Sequence, residues 1–62
     1  GLARLVRNLD DSDPFIRAYA ATFAGDAKAA SAQAKLEALL RDPDADVRVR
    51  AAQTLVQLSH HP

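Results

Sequence analysis

"DPDADVRVRAAQTL" (residues 42–55) is the stretch that decides the fold. Asp44 stands where a helix N-cap accepts hydrogen bonds from unpaired backbone N–H groups. Asp46 falls in the first turn, next to the positive end of the helix dipole. Val47, Ala51, Leu55 and Leu58 then recur at helical spacing, which predicts a helix over 45–58 with that face inward. A weaker copy, "DSDPFIRAYAATFA", occupies 11–24. There Asp13 is the cap, and Pro14 takes the first helical position, where its missing donor is not needed. Phe15, Ile16, Tyr19, Ala20 and Phe23 line up as the apolar face of a helix over 14–24, and Gly25 suits its C-terminal cap.

The two stretches belong to a longer correspondence. When 5–24 is laid on 36–55, a shift of 31 residues, seven of twenty positions are identical: Leu5/Leu36, Leu9/Leu40, Asp11/Asp42, Asp13/Asp44, Arg17/Arg48, Ala20/Ala51 and Ala21/Ala52. Ile16/Val47 is a conservative pair. The matches run through helix, turn and helix in one frame, which composition bias does not produce, and self-similarity at this period reads as a solenoid. Leu2, Leu5, Val6 and Leu9 predict a helix over 2–9, and Asp10 to Asp13 form the turn after it. Ala32, Leu36, Leu39 and Leu40 predict a helix over 27–41, started by Asp26 or within the alanine run, and Asp42-Pro43-Asp44 is the second turn.

Composition narrows the function classes. Sixty-two residues make a single domain, 1–62, and a chain this short buries only about 60% of its unfolded surface. Cysteine is absent, so neither a disulfide nor a thiolate metal site staples the fold, and the usage fits a reducing, cytoplasmic location. Eight basic and eight acidic residues balance, unlike the strong basic excess of a dedicated nucleic-acid binder. No apolar run approaches the roughly 18 residues of a membrane helix, and no secretory signal pattern is present. Gly1 opens in mid-pattern, so the chain reads as a fragment or a tag-cleaved product. Because solenoid units bury their faces on one another, apolar surface is expected at both ends, and with it self-association or a lost parent array. Ser59-His60-His61-Pro62 reads as a frayed end, native or tag-derived.

"LLRDPDADVRVRAAQTL" (39–55) resembles the HEAT-like repeat of the bacterial, phycobilisome-lyase type: a Leu-Leu helix end, an Asp-x-Asp turn, Val-Arg, and small residues ending in Leu. The likeness covers nearly the whole chain, strongly at 36–58 and more weakly at 5–25. In the first copy Phe15 and Tyr19 stand where charge is ordinary, and Ala24 replaces a leucine. The resemblance implies antiparallel helix pairs stacked into a right-handed superhelix. The expected fold class is therefore all-α, an α-solenoid fragment of four antiparallel helices, about two repeats. The resemblance also implies a ladder along the stack, with Arg17 and Arg48 bonding to the turn acids Asp11, Asp13, Asp42 and Asp44. A guanidinium suits that role because its rigid fork of donors serves a carboxylate and turn carbonyls together.

Few other residues invite chemistry. Asp42, Asp44 and Asp46 alternate like the start of an EF-hand loop, but Val47 sits where that loop needs Gly and Gln53 where it needs Glu, so capping explains the acids. Ser12, Ser31 and Ser59 lack a patterned base, His60 and His61 lack a nearby carboxylate, and no glycine-rich phosphate loop occurs. No catalytic residue, metal site or cofactor is expected, and the chain is not read as an enzyme. The first and third helices carry Arg4, Arg7, Lys28, Lys35 and, at its end, Arg41 against Glu37 alone. In the resembled fold these helices line the concave surface. The function expected is thus a protein-interaction scaffold segment, with Arg4, Arg7, Lys35 and Arg41 as its contact face. The alternatives are a grip on a nucleic-acid backbone through the same strip, and an accessory role in a bilin lyase-type protein. The first is weakened by Asp10, Asp11 and Asp13 at the rim and by the absence of interleaved aromatics for base stacking.

Overall fold

The computed structural model describes residues 2–24 and 30–60, which form four helices: α1 (Leu2–Leu9), α2 (Pro14–Phe23), α3 (Ala30–Leu39) and α4 (Ala45–Ser59). Two of them start on aspartate caps. The Asp13 carboxylate accepts from the N–H of Phe15, with Pro14 in the first turn. The Asp44 carboxylate accepts from the N–H groups of Asp46 and Val47. Both caps have extended backbone, φ −84° at Asp13 and φ −90° at Asp44, so the two corners are built alike.

The helix ends repeat as well. After α1, Asp10 donates to the Arg7 carbonyl at 3.0 Å and Asp11 to that of Asn8 at 3.2 Å. After α3, Arg41 donates to Ala38 at 3.1 Å and Asp42 to Leu39 at 3.2 Å. These tight i to i+3 bonds close each helix before its acidic turn. They also take Leu40 and Arg41 out of the helix expected to reach 41. At the other ends, α2 stops at Phe23 rather than residue 24 and α4 runs one residue further than 58. Gly25, Asp26 and the stretch 27–29 lie outside the described residues, as do His61 and Pro62.

Each helix packs on two others. α1 meets α2 and α4 meets α3, giving two antiparallel hairpins; α1 also lies on α3 and α2 on α4, so the hairpins stack as layers. The result is an all-α solenoid fragment, and no strand occurs among the described residues. The core between the layers is fine-grained. Six of its ten buried apolar residues are alanine (Ala18, Ala20, Ala21, Ala24, Ala32 and Ala51), and only Leu9, Leu36 and Val47 are large and fully buried. Alanine lets helices approach closely, but each contributes little apolar area.

This core differs from the face expected for α2. Phe15 is 82% exposed, and Ile16, Tyr19 and Phe23 are also exposed; of the expected stripe only Ala20 is inside. The buried positions are Ala18, Ala20, Ala21 and Ala24. The second hairpin covers the side of α2 that carries Ala18 and Ala21, while Ile16 and Phe23 lie on the side away from it. Tyr19 and Phe23 stack on each other outside, ring centroids 4.7 Å apart.

Matched leucines report the layering. Leu9 is 0% exposed because the second hairpin covers it, whereas its counterpart Leu40 is 42% exposed. Leu9→Ala is therefore expected to cost about 2–5 kcal/mol, comparable to the whole stability of so small a domain. Leu40→Ala should cost less than about 1 kcal/mol. Urea unfolding followed by circular dichroism separates the two, and equal costs would contradict the stacking.

Candidate interaction surface

Arg17 binds the two layers. Its Nε donates to Asp42 Oδ2 at 2.7 Å and one terminal nitrogen to Asp42 Oδ1 at 2.9 Å, a two-pronged grip on a carboxylate in the next layer. The other terminal nitrogen donates to the carbonyls of Asp11 at 2.8 Å and Ser12 at 3.0 Å, in its own layer's turn. One side chain thus holds both acidic corners. Asp42 Oδ1 further accepts the N–H of Asp44 at 2.9 Å, which fixes the cap residue of α4. Both partners of the ion pair are largely buried, where a charged, forked contact is strong and selective for geometry.

The protonation equilibria reflect that grip. The hydrogen bond from Arg17 holds the Asp42 carboxyl below the usual carboxylate range, against the opposing effect of burial, with help from the Asp44 N–H and the charges of Arg17 and Arg48. The same bond holds the Arg17 guanidinium still more firmly in its charged form.

Arg48 repeats half of the arrangement. One terminal nitrogen donates to the Asp42 carbonyl at 2.6 Å, as Arg17 does to that of Asp11. Among the described residues no carboxylate bonds to its remaining donors. Asp11 is the mirror case: its carboxylate accepts the N–H of Asp13 at 2.9 Å, but no arginine reaches it among the described residues. Asp13 and Asp44 act as caps and not as arginine partners.

Three further cross-layer contacts were not legible in the repeat. The Thr54 hydroxyl, buried, donates to the Ala21 carbonyl at 2.8 Å. Arg50 donates to the Thr22 hydroxyl at 3.0 Å and is braced by Asp46 at 3.1 Å. Lys35 pairs with Asp10 at 2.7 Å. Thr54 corresponds to Phe23 and Arg50 to Tyr19 under the 31-residue shift, so the first copy gave no hint of them.

The basic residues differ in their partners. Arg4 and Arg7 are exposed on α1, one turn apart, with no bonded carboxylate among the described residues. Lys35 is occupied by Asp10, and its side chain is half-buried. Arg41 lies beyond the end of α3 at the mouth of a groove of about 710 Å³ between α3 and α4, where Leu40, Leu55 and Glu37 also line the walls. No group of three metal-ligating side chains occurs among the described residues, and every buried side-chain nitrogen and oxygen there has a partner. No described helix is long and apolar enough to cross a membrane.

The described residues thus form two stacked helical hairpins, matched at a fixed period and joined through an arginine fork at their acidic corners. The sequence pattern of the HEAT repeats family matches residues 2–62. The chain belongs to the HEAT repeats family. No curated protein and no solved structure matches it. HEAT repeats commonly serve as protein-interaction scaffolds and are typically non-enzymatic.

The ion pair sets a pH dependence for this HEAT segment. A carboxyl with a depressed folded-state value stabilises the fold above its unfolded value, about 3.9, and that contribution is lost as pH falls through the lower folded-state value. Urea midpoints for the native chain should therefore drop on acidification below about pH 4. In Asp42→Asn the midpoint should be lower at neutral pH and the acid-side drop shallower. Parallel curves for the two proteins would remove the ion pair from the account.

Proposed function

We propose that the chain is a protein-interaction scaffold segment of a HEAT-repeat array, and that Arg4 and Arg7 on α1 form the centre of its contact face. The observation that carries this reading is the exposed pair itself. Two guanidinium groups one helical turn apart, with no carboxylate bonded to them among the described residues, present a doubled donor set suited to a carboxylate-rich segment. Lys35 joins this face only if a partner competes with Asp10 for it, and Arg41 contributes from the groove side. A rigid helical layer loses little entropy on binding, which favours an extended acidic segment lying across it. The finer kinship, to bacterial repeats of the phycobilisome-lyase type, is supported by the motif at 39–55; no residue here supports the lyase chemistry itself. Placement in the cytoplasm belongs to the same reading.

Fluorescence anisotropy with a labelled acidic peptide of about 20 residues tests the face. Arg4→Glu/Arg7→Glu should weaken binding at least tenfold while leaving the helical circular dichroism signal unchanged. Arg50→Ala, on α4, should leave affinity within about twofold. A labelled DNA duplex is the parallel probe. Tighter binding to it than to the peptide, with a steep fall in affinity as salt rises, would replace the protein-partner reading with a nucleic-acid one.

A further inference from the structure

The repeat register shows which surfaces this chain leaves open. Ile16 is 38% exposed where its counterpart Val47 is 0%, and Phe23 is exposed where Thr54 is buried. Position by position, these are the contacts the second hairpin makes with the first. They define a leading face built from Asp11, Ile16 and Phe23, with Tyr19 at its rim. The converse holds at the other side. Val49 is 53% exposed where Ala18 is 4%, and Leu40 is exposed where Leu9 is buried. With Arg48 and the adjoining groove between α3 and α4, these form a trailing face.

The two faces complement each other. Arg48 already donates to its own turn and keeps donors in reserve, while Asp11 holds its carboxylate in the orientation Asp42 uses to receive Arg17. We propose that copies of this chain associate leading face to trailing face, with Arg48 of one copy forked on Asp11 of the next, so that the interface between copies continues the one between the two hairpins. Leu5 and Ile16 then lie against the groove between α3 and α4, in the places that Leu36 and Val47, both fully buried, hold in the second hairpin. Tyr19 and Phe23, standing where Arg50 and Thr54 serve inside, make this interface more apolar than the internal one. The contact is heterologous and does not close on itself, so it leads past the dimer.

The same register places one unfavourable contact. Asp10 and Lys35 pair between the hairpins, and their counterparts across copies are Arg41 and Arg4. These exposed like charges oppose association, and salt screens them. The proposal is separable from the acidic-partner reading: the Arg4→Glu/Arg7→Glu variant abolishes the acidic-partner face but keeps Asp11, Ile16, Phe23, Arg48 and Val49, and its new acid at position 4 faces Arg41 of the next copy.

Sedimentation velocity of the native chain over a concentration series should show mass growing past the dimer. Val49→Asp blocks the trailing face and Ile16→Asp the leading one; each alone should stay monomeric, and a 1:1 mixture should stop at a dimer. Both positions are exposed, and circular dichroism checks that the helices persist. Arg48→Ala should weaken association roughly tenfold, while Arg41→Asp, which supplies a partner for Arg4, should strengthen it about two- to fivefold. A native chain that is folded but monomeric at every concentration overturns the proposal and assigns the faces to hairpins of other sequence. Continued association of Val49→Asp alone overturns it in favour of a two-fold dimer through the leading face.

Discussion

Arg17 connects three backbone segments at once: the turn at 11–12, the start of α2 and the corner at Asp42. Helices packed through alanine slide easily, because small side chains offer shallow ridges and grooves. A fork that is satisfied in only one relative position of the layers supplies the register that the core does not. The Asp42 carboxylate carries this out in both directions. It receives Arg17 from the previous layer and, through the Asp44 N–H, sets the geometry from which α4 begins. Disturbing it therefore acts on layer contact and helix start together, which is why its protonation matters to the whole fold.

The fine-grained core explains where the large residues go. Close layers admit Ala18, Ala21 and Ala51, with the Thr54 hydroxyl bonded across to a backbone carbonyl. The rings of Phe15, Tyr19 and Phe23 sit outside, on the parts of α2 that the second hairpin does not cover. A chain of this length then has little buried apolar area and a conspicuous amount exposed, the opposite of what stability alone would select. In solenoids that balance is restored by the next layer, so the surface that looks wasted within one hairpin is the surface that joins hairpins.

Helix count, the aspartate caps and the 31-residue register were readable because they depend on local chemistry that leaves a fixed residue type at a fixed place. The Arg17 fork was readable only through family resemblance, since nothing in the spacing of Arg17 and Asp42 says they meet. The face of α2 was misread for a physical reason. Aromatics and alanines are both apolar, and hydrophobicity ranks the aromatics as the inward side, whereas the side on which the second hairpin packs, which sequence does not state, carries the alanines. Leu40 was misassigned in a similar way: its counterpart Leu9 is core, and identity under the repeat suggested an identical environment. The basic residues were readable as a composition bias, but the pairing of Lys35 was not, because its acid lies 25 positions away in sequence.

That last pattern has a general form. In a tandem array, two residues that match in sequence share an environment only when each has a layer on both sides. Where they differ in exposure, the difference measures a missing neighbour and not a different local fold. Leu9 against Leu40, Val47 against Ile16 and Ala18 against Val49 all differ according to which side of each hairpin the other hairpin covers. The polar groups follow the same rule: Arg17 has its carboxylate and Arg48 has only its turn carbonyl. Stability and assembly in such a chain are thus two readings of one interface, since whatever covers the open faces adds its binding free energy to that of folding by mass action.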